Sequence, residues 1–152
     1  MTDVNDLRLL DFKPVPQLVT KQTHIEKPRF TVIDAHNHLG GAFGGGWDER
    51  PVEALIDVLD QANVQGYVDL DGGWGEDILH HHLDKFKAYA PERFRMFGGV
   101  DWSQWVEHGN QFGEWAAKRL REQAKRGAEG LKIWKPFGLH VKDHNDQLVA
   151  ID

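Results

Sequence analysis

Asp34, His36 and His38 close an apolar run in "FTVIDAHNHLGGAFGGGW", residues 30–47, and are the residues here whose types and spacing could do chemistry. In a β-strand, residues i and i+2 point to one face with Cα atoms about 6.5–7 Å apart. Alternation therefore places Asp34, His36 and His38 on one face and Ile33, Ala35 and Asn37 on the other. Two imidazoles leaning together from such positions can share one metal ion, each at about 2.0–2.1 Å. The competing reading is a pair of strand-end histidines hydrogen-bonded to their neighbours. Spacing alone does not decide, because nine histidines in 152 residues give about half an occurrence of His-x-His by chance. A second occurrence, His80 and His82 in "LHHHLD", falls on an expected helix, where i and i+2 diverge by about 200°. It reads as a surface or partly packed run. Context favours His36 and His38: an apolar strand precedes them, an acid lies two residues upstream, and a glycine-rich loop follows.

Other candidates are spread along the chain. In "EGLKIWKPFG", alternation puts Lys132 with Trp134, and Lys135 with Leu131 and Ile133. Helices should cover the Leu131 and Ile133 face, which turns Lys132 to the opposite, interior side. A lysine there costs free energy unless paired or modified. It is therefore either a catalytic aid or the partner of an interior acid such as Asp34 or Asp69. Asp71 and Asp101 each close a strand and either line a site or cap the turn that follows. The loop "GGAFGGGW" lacks the lysine and hydroxyl of a phosphate-binding loop; it is either a mobile border to a site, with Trp47 as a lid contact, or a surface turn. His140 and His144 fall on a hairpin and are expected to face solvent.

These residues need elements to position them. Residues 1–29 are polar, with prolines at 14, 16 and 28, and read as an extended arm lying over the body. Then "RFTVIDAH", "GYVDLDGG", "RFRMFGGVDW" and "EGLKIWKPFG" read as strands. "PVEALIDVLDQANVQG", "EDILHHHLDKFKAYAP" and "GEWAAKRLREQAKRG" read as helices bounded by proline and glycine. Ala54, Leu55, Val58 and Leu59 are spaced for the apolar stripe of the first helix. "LHVKDHNDQLVAID" alternates around a turn, as a small hairpin does. The order βαβαβαβ specifies an α/β fold with a parallel sheet and helical crossovers. A complete eight-stranded barrel of such units takes about 250 residues, so residues 30–152 are expected to form either an open half-barrel-like sheet or a fragment of a longer protein.

Composition narrows the function. Apolar residues make up 40% of the chain, enough for a packed core. A net charge of −6 without basic clusters argues against nucleic acid as a partner. No segment has the length or apolarity of a membrane span, and no leader is evident, so a cytoplasmic location is expected. With no cysteine, any metal must be held by His, Asp, Glu or a modified Lys.

"VIDAHNHLG" resembles the first-strand signature of the amidohydrolase superfamily, metal-dependent hydrolases on a TIM-barrel scaffold. "GLKIWKPFGLHVKD" resembles the fourth-strand region of its amidohydrolase-related branch, which includes decarboxylases. The resemblance spans about residues 28–152 and implies that residues 30–152 form the N-terminal half of such a barrel, about its first four strands. It implies a divalent metal, most commonly zinc, held by His36 and His38, and a metal-activated water attacking a C–N or C–O bond of a small-molecule substrate. Lys132 lies near the place where two-metal members carry a modified bridging lysine. The family completes its site with a histidine from the fifth strand and an aspartate from the eighth, beyond the four strands read here. Alternatives are a decarboxylase on the same scaffold, or a non-catalytic half-barrel that needs a second half, with homo-oligomer formation as one route.

Overall fold

In the computed structural model, residues 7–150 are described. Strand β1 (Val32–Asn37) is followed by α1 (Val52–Gln61), β2 (Val64–Gly72), α2 (Glu76–His82) and β3 (Phe94–Gly98). Then come α3 (Trp105–His108), α4 (Phe112–Arg126) and β4 (Gly130–Leu131). The four strands are all parallel and pair in the order β1-β2-β3-β4, as one curled sheet shaped like half of a barrel. The α/β class and the parallel order expected from the sequence are present.

The core lies between the sheet and the helices. From α1 it takes Val52, Leu55 and Leu59: the expected Leu55 and Leu59 are buried, while Ala54 and Val58 face outward and Val52 extends the stripe instead. From α2 and the π-turn after it (Leu83–Lys87) come Leu79, Leu83 and Phe86. From β2 and β3 come Tyr67, Phe94 and Met96. Each of these large side chains contributes about 1.5–3 kcal/mol by leaving water. A second cluster, Val100, Phe112 and Ala116, is walled by Trp102, Trp105 and Trp115 under α4. The short α3 was not legible in the sequence.

Two irregularities shape the functional end of the sheet. Opposite β2, Asp34 pairs with Tyr67 and Asn37 with Asp69, so three steps of β1 match two of β2. Opposite β3, Asp69 pairs with Met96 and Gly72 with Gly98, so three steps of β2 match two of β3. Each is a bulge that inserts one residue and reverses the side-chain alternation beyond it. Beside the second bulge the backbones approach closely: a Cβ on Gly72 would lie 2.2 Å from the Phe97 carbonyl oxygen. Only glycine fits there.

The last strand is shorter than the sequence suggests. β4 ends at Leu131, and turns follow from Trp134. No helix follows it among the described residues, so Leu131 and Ile133 stay exposed, against the expectation that helices cover them. The hairpin exists in minimal form, with Lys142 bridging Leu148 in antiparallel sense around a turn that Asp143 holds from inside. The described part of the arm up to Phe30 is exposed rather than packed over the body. It is tied to the body where Asn63 Nδ2 donates to the Pro28 carbonyl. No helix among the described residues is long and apolar enough to cross a membrane.

Candidate metal centre

The site is built by three alternate residues of β2, each holding one residue of the chain that leaves β1. The Tyr67 hydroxyl donates to the His38 carbonyl at 3.0 Å. The Leu39 amide donates to Asp69 Oδ1 at 3.1 Å. The Gly40 amide donates to Asp71 Oδ2 at 2.6 Å. Period-2 geometry points residues 67 and 69 to the helix side, and the bulge then lets Asp71 reach the strand end. The loop after β1 is thereby fixed residue by residue onto the neighbouring strand.

Within this frame the two histidine rings come together. Their centroids are 5.8 Å apart, with planes at 67°. His36 is exposed, and its backbone amide donates to Asp34 Oδ1. The His38 side chain is 15% exposed, and its Nδ1 lies 2.6 Å from Asp71 Oδ1. The ring also packs on Phe43, centroid to centroid 4.4 Å. Asp34 does not join them on one continuous face. The bulge in β1 breaks the alternation, and Asp34 Oδ2 instead accepts from Asn37 Nδ2 at 2.6 Å.

Behind His38 lies a buried polar network. Asp69 and Asp71 are 0% and 1% exposed, and His82 is 1% exposed. His82 Nδ1 is 2.8 Å from Asp69 Oδ2. The Asp71 amide donates to Asp69 Oδ1 at 3.4 Å, and the Trp74 indole Nε1 donates to Asp71 Oδ1 at 3.2 Å. The triplet, read from the sequence as surface or partly packed, is partly packed: His80 is half-buried, His81 exposed and His82 buried. Leu79, His82, Leu83 and Phe86 fall at i, i+3, i+4 and i+7, the spacing of a buried stripe, and that spacing was available in the sequence. Tyr67 was not singled out in the sequence, and Asp69 only as an interior acid; the signal for their common face was the alternation of "YVDLD". Burial pushes the Tyr67 hydroxyl well above the ordinary tyrosine value, reinforced by the charges of Asp69, Asp34 and Asp71 and opposed by its bond to His38.

Ligand atoms of Asp69, Asp71 and His82 all lie within 4.8 Å of one another, close enough to hold an ion. Yet every carboxylate oxygen in the group already accepts a hydrogen bond. Nearby, Asp48 Oδ1 is buried and has no hydrogen-bond partner among the described residues.

The remaining sequence candidates separate. Lys132 lies just past β4 and is half-buried. Its side chain lies against Gly73, where a Cβ would come within 3.0 Å of the lysine Cγ. It pairs with neither Asp34 nor Asp69, nor with another acid among the described residues. Lys135 is exposed, over the Trp134 ring. Asp101 caps the turn after β3, accepting from the Ser103 amide and hydroxyl. His140 and His144 are exposed, as expected.

A cavity of about 1060 Å³ opens beside this centre at the ends of β2 and β3, walled by Trp74, Trp102, Trp115 and Trp134. Neither His36 nor His38 lines it. Trp74 is the shared wall, facing the cavity and bonding Asp71 on its other side. The cavity carries ionisable side chains of its own, among them Glu76, Asp101 and Arg119, and adjoins the histidine pair without including it. Compared with known proteins, the chain matches no family model, and neither the curated proteins nor the solved structures contain a significant match.

Proposed function

We propose that this chain carries part of the site of a metal-dependent hydrolase of amidohydrolase type, built on the first four βα units of a TIM-like barrel. The observation that carries this reading is the pair of adjacent imidazoles, His36 and His38, at the C-terminal end of a strand in a parallel sheet. That end is where βα barrels assemble their reactive groups.

The donors fit a divalent ion such as zinc. Asp71 occupies Nδ1 of His38 and leaves Nε2 to bind, and His36 stands beside it with an exposed ring. Imidazole nitrogen suits zinc. Two imidazoles are one short of the three protein ligands usual in a catalytic zinc site, so a further ligand must come from outside this pair. When bound, such an ion supplies Lewis acidity and brings the pKa of a bound water toward about 7. The chain's own residues hold and orient the ligands. The Lys132 ammonium, without an acidic partner among the described residues, is suited to attract an anionic part of a small-molecule substrate. Trp74 shields the Asp71 side of the centre from water.

A second reading has an observation in its favour. Ile33 on β1 is 66% exposed and Ile133 beyond β4 is 52% exposed, and β1 and β4 are both sheet edges. Such edges and apolar surface favour completion by further strands or by a second copy of the chain. Light scattering reads this directly: self-association supports pairing, and a clean monomer that binds no hydrophobic dye removes it.

The test of the main reading is zinc content after stripping and reloading. Wild type should retain about one equivalent, and the His36→Ala/His38→Ala variant should lose it. Equal content in the two proteins would refute the assignment.

A further inference from the structure

We infer that Asp71 is a positioning residue that sets which nitrogen of His38 is offered to the metal, and that the buried Asp69–His82 pair braces it. This rests on the metal reading above. An imidazole that donates Nδ1–H to a carboxylate keeps its Nε2 lone pair free and aimed away from that carboxylate. His38 Nδ1 lies 2.6 Å from Asp71 Oδ1, the geometry of such a donation.

The carboxylate is itself held from several directions. The Gly40 amide donates to Asp71 Oδ2, and the Trp74 indole donates to Asp71 Oδ1. The residue's own amide is tied to Asp69 Oδ1, while Asp69 Oδ2 is held by His82 from the next helix. At 1% exposure Asp71 leaves little room for a water to take its place. His36 differs: its ring is exposed, and no hydrogen bond to it is formed among the described residues. One ligand is therefore fixed in advance and the other is free to swing. The ordering entropy for His38 is already spent on folding, and affinity should depend strongly on the residue that holds it. The same geometry explains why Asp69, Asp71 and His82 lie close together without needing an ion: their donors and acceptors match one another.

The test uses two readouts on the full chain, with zinc as the probe. In metal-free wild type, long-range 15N–1H spectra should show His38 as the Nδ1–H tautomer. In Asp71→Ala, the Nε2–H form that dominates free imidazole should replace it. Zinc competition against a chromophoric chelator should show affinity about 10- to 100-fold weaker in Asp71→Ala, the usual effect of losing such a partner. Asp71→Asn, which keeps the shape and one acceptor, should fall between and covers the case in which the alanine variant does not fold. His36→Ala should weaken zinc binding and leave the His38 tautomer unchanged.

An Nε2–H tautomer in wild type would overturn the inference. So would zinc affinity within about twofold of wild type in both folded Asp71 variants, since that is well short of the expected loss. Wild type that shows the Nδ1–H tautomer but binds no zinc would sink the hydrolase reading while leaving the placement of His38 intact. Zinc that survives His36→Ala/His38→Ala but is lost in His82→Ala would overturn both and put the ion in the Asp69–Asp71–His82 group.

Discussion

Replacing Asp69 with alanine should be among the most damaging single changes in this chain. The carboxylate is fully buried and accepts from His82 Nδ1 at 2.8 Å and from the Leu39 amide at 3.1 Å. Removing it strands three buried donors, the third being the Asp71 amide at 3.4 Å, each at about 1–3 kcal/mol, and breaking a buried charged or polar pair typically totals about 3–5 kcal/mol. With a urea m-value of about 2 kcal/mol/M for a domain of this size, the unfolding midpoint should fall by about 1.5–2.5 M. The double variant Asp69→Ala/His82→Leu removes a stranded donor along with its acceptor. It should therefore lose less than the sum of the single changes, with a coupling of about 1–3 kcal/mol. Urea unfolding followed by tryptophan fluorescence reads all three variants. A loss below about 1 kcal/mol for Asp69→Ala, or a coupling near zero, would refute the claim that this pair is a desolvated hydrogen-bonded brace. The loss for Asp69→Ala relative to wild type should be the same in chelator as in plain buffer. If chelator abolishes that loss, a metal rather than a hydrogen bond holds the group together.

Two further predictions concern the frame around the centre. Gly72→Ala should destabilise by about 1–3 kcal/mol or more, because its Cβ would enter the Phe97 carbonyl where backbone cannot give way; thermal unfolding against a Gly113→Ala control, where the added carbon meets nothing, checks this. Tyr67→Phe should cost about 0.5–1.5 kcal/mol near neutral pH through the lost bond to the His38 carbonyl. It should also flatten the alkaline limb of stability. The folded Tyr67 holds its proton above the ordinary value, so its contribution is fully present below the unfolded pKa near 10 and is lost as pH rises beyond it. Wild type and variant with parallel losses above about pH 10 would contradict the burial argument.

The parallel β-α order was legible because each strand is a short apolar run and each helix is bounded by proline or glycine, signals that depend only on near neighbours. The histidine pair was legible as a motif, and its two rings do meet. The partner of His38 was not, because the Asp71 contact spans 33 positions and is made by a bulge that no local pattern announces. The same kind of bulge defeated the simple alternation that placed Asp34 with the histidines. His82 is the packed member of a triplet read as surface or partly packed. Its type suggested surface, whereas its spacing with Leu79, Leu83 and Phe86 suggested core, and packing followed the spacing. Lys132 was assigned a face on the assumption of a long fourth strand; β4 is two residues long, so the lysine sits at its end with its stem against Gly73.

The central claim is that His36 and His38 bind one ion together, and X-ray absorption at the zinc edge of the reloaded protein tests it most directly. The account predicts two imidazole nitrogens at about 2.0–2.1 Å, with the outer-shell scattering of two rings, and its loss in the His36→Ala/His38→Ala variant. A first shell of one imidazole and two carboxylates, unchanged in that variant, would contradict it.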